Sequence, residues 1–241
     1  MNKELIKQRF SRKLKSYNKN AKVQKQMAEK TINYLSEAKY DSVLEIGCGT
    51  GLLTDFAINK INFEEYIALD IVSECENFIK KLNKEIKFIS CDAEDFIENT
   101  DKKFDLILSN AAIQWVENLP DFVRKLAGKL NPNGILLFST FGKENFREIN
   151  YVLGKTLSYY SSAELNEILK EYAPKIDEEV RVMAFKTPKD VLKHIQDTGV
   201  NAISNEVWTK RDLINFETEY NAFCMNHPTL TYNPIYILIN K

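Results

Sequence analysis

The chain has 241 residues, 44% hydrophobic and 28% charged, with a net charge of −1, which suits a soluble protein long enough to bury a full core. It holds no apolar run of about 18 residues and no apolar signal core near Met1, so a cytoplasmic protein without a membrane segment is expected. Four scattered cysteines (Cys48, Cys75, Cys91, Cys224) lack a C-x-x-C pair and read as reduced structural thiols, while two histidines, His194 and His227, argue against a metal site or a His-based triad.

The charge is uneven along the chain. Residues 1–30 carry ten Lys/Arg against Glu4 and Glu29, a net +8. This is either a solvated helix face or a docking surface for an acidic partner. No aromatic-interleaved basic motif points to nucleic acid. Residues 1–35 read as one or two amphipathic helices, with Val23, Met27, Ala28 and Leu35 on one side of the second. Phe10 and Tyr17 stand in a polar stretch, either packing the segment onto the core or covering a ligand.

Val43-Leu-Glu-Ile-Gly-Cys-Gly-Thr-Gly51 follows. Residues 43–46 suit a buried strand. Gly47, Gly49 and Gly51 form a turn that backbone and ligand can share closely, and Leu52, Leu53, Phe56 and Ala57 recur at helical spacing. The G-x-G-x-G spacing after Glu45 resembles the first motif of S-adenosylmethionine methyltransferases rather than an NAD site.

The next expected strand, 66–70, ends in Asp70, nineteen residues past Gly51, where a carboxylate meets ribose hydroxyls. Ser73-Glu-Cys-Glu76 reads as a capping box opening a helix. The third strand, 86–90, is followed by Asp92 and Ala93, candidates for an adenine amino group and ring; Asp92 equally suits a helix N-cap. Strand four, 104–110, leads through Asn110 into Ala111-Ala-Ile-Gln-Trp115, at the carboxyl edge where open α/β sheets bind ligands. A helix over 121–130, a turn at Asn131-Pro-Asn-Gly134 and a strand over 135–141 continue the alternation. A Rossmann-like doubly wound sheet is therefore expected.

Residues 143–178 leave that rhythm and read as a helical insertion, or lid, over the site, with one helix starting at Ser161. An edge strand is expected over 179–185. Thr187-Pro-Lys-Asp190 and Thr209-Lys-Arg-Asp212 open two more helices, the first ending at Gly199. Residues 230–239 form a last strand suited to the antiparallel seventh position of the methyltransferase sheet. The expected organisation is one domain over 1–241, with 1–40 as a helical cover, acting as a monomer.

Segments outside the glycine turn form a further pattern: Arg9-Phe10, Tyr17 and Val23-Gln24-x-x-Met27-Ala28, then Ser109 to Trp115 with Asn118-Leu-Pro120, and Phe138-Ser-Thr-Phe-Gly142 with Asn145-Phe-x-Glu148-Ile149. Thr198-Gly-Val-Asn-Ala202, Trp208-Thr-Lys-Arg-Asp-Leu213 and Leu230-Thr-Tyr232 complete it; residues 151–181 contribute no diagnostic motif. This pattern resembles a narrower family, the malonyl-[acyl-carrier protein] O-methyltransferases of biotin synthesis. The resemblance implies methyl transfer from S-adenosylmethionine, leaving S-adenosylhomocysteine, to the free carboxylate of malonyl-acyl carrier protein. It implies cofactor contacts at Glu45, Gly47, Gly49, Gly51, Asp70, Asp92, Ala93 and Asn110. Tyr17, Gln114 and Trp115 are implied near the methyl-transfer site. Lys143, Arg147 and Arg181 are candidates for the cation that receives the malonyl carboxylate, and the basic N-terminal segment for the carrier dock. Other readings are a methyltransferase of a different small carboxylate, of the aconitate type, and a non-catalytic protein that binds S-adenosylmethionine.

Overall fold

A computed structural model describes residues 3–154, 157–198 and 208–241. Helices α1 (Lys3–Asn20) and α2 (Lys22–Asn33) precede β1 (Lys39–Ile46), α3 (Leu52–Lys60), β2 (Asn62–Asp70) and α4 (Glu76–Leu82). Then come β3 (Lys87–Ser90), α5 (Ala93–Asn99), β4 (Phe104–Asn110), α6 (Leu119–Gly128) and β5 (Leu130–Phe141). Helices α7 (Arg147–Leu153) and α8 (Ser162–Ile168) lead to β6 (Lys175–Glu178) and β7 (Arg181–Ala184). Helices α9 (Pro188–Asp197) and α10 (Lys210–Phe223) and strands β8 (Thr229–Tyr232) and β9 (Pro234–Asn240) close the chain.

The main sheet has seven strands in the order β3-β2-β1-β4-β5-β9-β6. Strands β1 to β5 pair in parallel, and β9, the last strand in the chain, runs antiparallel to both β5 and β6. The doubly wound, Rossmann-like expectation with an antiparallel last strand is met. Alternate residues of the same strands serve opposite faces: Leu44, Ile67, Ile107 and Phe138 join one core, and Val43, Ala68, Leu106 and Leu137 the other. Covering both faces explains why these strands read as unbroken apolar runs. Both β1 and β2 begin partly exposed and become buried toward their carboxyl ends, where the N-terminal helices lie.

Several boundaries depart from expectation for identifiable reasons. Helix α6 starts at Leu119 because Asn118 caps it, accepting the Asp121 N–H at 3.1 Å. The expected turn at 131–134 lies inside β5, whose register jumps from Phe104↔Leu130 to Leu106↔Ile135. No capping box forms at Ser73; its hydroxyl bonds Glu74, and a 3₁₀ turn (Ser73–Cys75) leads into α4. Capping boxes do form at Ser161, Thr187 and Thr209. The expected helix end at Gly199 lies outside the described residues.

Of the two C-terminal strands expected, 179–185 appears as β7, whereas 230–239 is divided into β8 and β9. Strand β6 pairs with β9 in the main sheet, whereas β7 pairs with β8 in a separate ribbon. Asn233 makes the corner. Fully buried, it donates through Nδ2 to Glu178 Oε1 and the Glu179 carbonyl, both at 2.9 Å, and accepts the Glu144 N–H at 3.0 Å. Pro234 then starts β9 in its new register. Nearby, Glu148 (1% exposed) accepts the N–H and hydroxyl of Thr231, stitching α7 to β8.

Candidate active site

The glycine turn is shaped by two close approaches. Gly47 has φ +67°, and a Cβ there would sit 2.3 Å from Ala112 Cβ, so only glycine lets the end of β1 meet the segment after β4. At Gly49 (φ +53°) an added Cβ would touch the Phe10 ring at 3.3 Å, which is where α1 closes over the turn. Gly51 differs. It precedes α3 in a left-handed conformation and faces Leu82 of α4, so its place is packing rather than the cavity wall.

The carboxylates at the strand ends are each already engaged. Asp70 accepts the Gly49 N–H through Oδ2 and the Val72 N–H through Oδ1, both at 2.8 Å. Burial raises its pKa, and those N–H groups oppose the rise. Glu45, 1% exposed, accepts the hydroxyls of Thr54 (2.7 Å) and Tyr66 (2.6 Å) on the same oxygen. Burial pushes its carboxyl up to about 7, against the pull of those two hydroxyls. Asp92 caps α5 by accepting the Glu94 N–H at 2.8 Å, while its other oxygen pairs with Lys3 Nζ at 2.9 Å.

Helix α1 spans this region. Lys3 bridges Asp92 and Glu94; burial alone would lower its pKa, but the two carboxylates hold it above the ordinary value. Ser11 donates to Glu74 at 2.6 Å, Thr50 of the glycine turn donates to Asn18, and Lys13 pairs with Asp197 of α9 at 3.1 Å. Tyr17 packs edge-on against Phe10 with centroids 4.9 Å apart. Burial, with Asp70 nearby, pushes the Tyr17 phenol above its ordinary pKa.

At the end of β4, the Asn110 side chain bridges two elements, donating to the Gln24 carbonyl (3.1 Å) and accepting from Ser139 Oγ (2.7 Å). It therefore ties α2 to β5. Gln114 donates through Nε2 to the Ala111 carbonyl at 2.7 Å. Trp115 ends the 3₁₀ turn (Ile113–Trp115) beside it. One cavity is lined by all the residues expected at the cofactor or near the methyl-transfer site except Gly51.

A family profile described as a methyltransferase domain matches residues 17–175. The chain is 37% identical over 231 residues to malonyl-[acyl-carrier protein] O-methyltransferase of Calditerrivibrio nitroreducens, covering 93% of this chain and 91% of that one. The chain belongs to the malonyl-[acyl-carrier protein] O-methyltransferase family. Similar members occur in Chlorobium luteolum (34% identical; 99% of this chain, 95% of that one) and Haemophilus influenzae (32%; 99% and 94%). Its fold is that of solved structures with far lower identity. A Bacillus halodurans protein superposes with TM-score 0.63 at 15% identity, over 89% of this chain and 98% of that one. N-methyltransferase NodS from Bradyrhizobium japonicum, solved with S-adenosyl-L-homocysteine, gives 0.53 at 13% identity over 98% of both chains.

No described residue of 143–178 lines the cavity; Leu165 and Leu169 join the sheet core, and Lys3, Ile6, Lys7, Phe10 and Tyr17 of α1 line the cavity. The three candidate carboxylate anchors are also elsewhere: Lys143 pairs with Glu164 and Arg181 with Glu179, both at 2.5 Å, and half-exposed Arg147 lies 3.4 Å from Glu144. None of them lines the cavity. Sequence reasoning missed Lys3, Gln24 and Thr198 as lining residues. Gln24 carried a signal, a polar residue on the apolar side of α2 beside Val23, Met27 and Ala28. Among the described residues no helix is long and apolar enough to cross a membrane, and no His/Cys/Asp/Glu group could hold a metal.

Proposed function

We propose that the chain transfers a methyl group from S-adenosylmethionine to the free carboxylate of malonyl-acyl carrier protein, giving the methyl ester that starts pimeloyl synthesis for biotin. One observation carries the reading above others: the near-full-length likeness to family members belongs to a chain whose glycine turn, Asp70 and Asp92 face one cavity. The lining fits the cofactor, with carboxylates for hydroxyl and amino donors, a turn that admits no side chains, and buried amide oxygens lacking partners. Bound there, S-adenosylmethionine supplies an electrophilic methyl group on a sulfonium and is left as S-adenosylhomocysteine.

The protein's own part is binding, alignment and exclusion of water. Asp70 serves the ribose, Asp92 and Ala93 the adenine, and Gly47, Gly49, Glu45 and the Asn110 backbone the methionine part. Gly51 supports the turn from behind. The malonyl carboxylate is ionised at neutral pH, so its attack needs no general base. Tyr17 agrees with that, because its raised pKa keeps the phenol protonated as a hydrogen-bond donor. Tyr17 and Trp115 wall the transfer region, where alignment and a dry nucleophile provide most of the acceleration.

The carrier is an acidic protein, and α1 and α2 offer it a surface. Arg12, Lys15, Lys19, Lys22 and Lys25 are exposed and form no ion pair among the described residues, whereas Lys3, Lys13 and Lys30 are turned to carboxylates of the fold. We read the five as the carrier dock, on a cytoplasmic monomer working as a single domain over 1–241. Turnover on malonyl-acyl carrier protein, free malonate and aconitate tests the reading. The carrier thioester should be methylated far faster than either free acid; the reverse order would reject the carrier-bound substrate.

A further inference from the structure

Four buried side-chain polar atoms among the described residues lack a hydrogen-bond partner, and two belong to residues that line the cavity: Gln24 Oε1 and Gln114 Oε1. A buried acceptor without a donor is costly, and a fold retains one where a ligand completes it. Gln24 is 3% exposed. The two glutamines flank a single dipeptide, since Asn110 Nδ2 donates to the Gln24 carbonyl and Gln114 Nε2 donates to the Ala111 carbonyl. Both therefore stand at the carboxyl end of β4, against the turn where Ala112 meets Gly47.

Their chemistry narrows what they hold. The Gln114 amide cannot turn over, because its oxygen would then face the Ala111 carbonyl, so it shows the cavity an acceptor. The Gln24 amide, which no side-chain hydrogen bond among the described residues fixes, can turn its oxygen toward the same ligand. The cations that line the cavity among the described residues are Lys3 and Lys7, and Lys3 is held at the Asp92 end. A carboxylate arriving beside Gln114 would meet an oxygen that cannot turn away, whereas an ammonium would find that acceptor waiting and a second available from Gln24.

We propose that Gln24 and Gln114 bind the α-ammonium of the cofactor's amino-acid head. This rests on S-adenosylmethionine being the cofactor, and it moves Gln114 from the substrate side of the site to the cofactor side. Gln24 becomes a binding residue contributed by the N-terminal helices, so the cover also holds the ligand it encloses.

Calorimetric titration with two ligands tests this: S-adenosylhomocysteine and its deaminated analogue, which keeps the thioether and carboxylate but lacks the amine. The protein should favour S-adenosylhomocysteine by roughly tenfold or more, the worth of hydrogen bonds to a charged group. Gln24→Met and Gln114→Met, close to glutamine in volume, should each reduce that preference several-fold while leaving the analogue's affinity unchanged. An undiminished preference in both variants would overturn the proposal. So would parallel weakening of both ligands, which would mark a purely structural role. If the unaltered protein bound neither ligand, the cofactor reading itself would fall, a result distinct from either of those.

Discussion

Glu45 shows how much one buried side chain can record. Its folded pKa of about 7 lies above the roughly 4.3 of an unfolded chain. The folded state therefore binds the extra proton, and Glu45's contribution is fully present below about pH 4 and lost as pH rises through 7. Both of its hydroxyl partners use one oxygen, so the Gln carbonyl can keep both bonds in Glu45→Gln. The variant should match the parent near pH 4 and become increasingly more stable as pH rises to 7, by up to about 4 kcal/mol at the rate of 1.36 kcal/mol per pKa unit. Thermal melts across pH 4–8 check this; a gap that does not widen with pH would contradict it. A second residue bears on the cofactor. Asp70→Asn should weaken S-adenosylmethionine binding by about tenfold or more, because a ribose hydroxyl loses its charged acceptor. Equilibrium titration reads that loss. The acids themselves were legible in the sequence as the last polar residues of apolar strands. The partners of Glu45 were not, because Tyr66 reaches it only once β2 lies in register beside β1.

Elements were legible where the local pattern and the tertiary contacts agree. Strand β4 and the helix starts at Thr187 and Thr209 fall where hydrophobic runs and capping residues put them. Patterns fail where a long-range partner decides. Residues 230–239 look like one strand, yet Asn233 divides them because the Glu144 N–H, the Glu178 carboxylate and the Glu179 carbonyl converge on its amide. Asn233→Ala would remove three part-buried hydrogen bonds at a cost of about 1–3 kcal/mol, lowering Tm by several degrees in a protein of this size. An unchanged melting curve would show that the corner is held by other contacts. Helices α1 and α2 carry the corresponding test for the surface. Reversing Lys15, Lys19 and Lys22 to Glu should raise KM for malonyl-acyl carrier protein by tenfold or more at low salt. The effect should shrink in high salt, and S-adenosylmethionine affinity should stay the same.

Taken as a whole, the molecule sets its cavity between a sheet edge and the N-terminal helices. Ends of β1, β2 and β4 and the loop after β3 supply the floor, and α1 and α2 close it through Phe10 over Gly49, Lys3 at Asp92 and Gln24 at Asn110. The cover was readable from two aromatics in a polar stretch, but its extent was not. Amphipathic periodicity tells which face of a helix is buried without telling against what. For the same reason the pattern of 143–178 did not tell that Leu165 and Leu169 pack into the sheet core. The site's acidic and glycine positions thus followed from strand ends and turn chemistry. The glutamines and Lys3 emerged only from three-dimensional proximity.

The most direct measurement is the intact mass of malonyl-acyl carrier protein after incubation with this protein and S-adenosylmethionine. The account predicts a gain of one methylene, absent with acetyl-acyl carrier protein and removed by an esterase that cleaves methyl esters. No gain in mass, in a preparation that demonstrably binds S-adenosylmethionine, would contradict it and leave the fold and cofactor with a different acceptor.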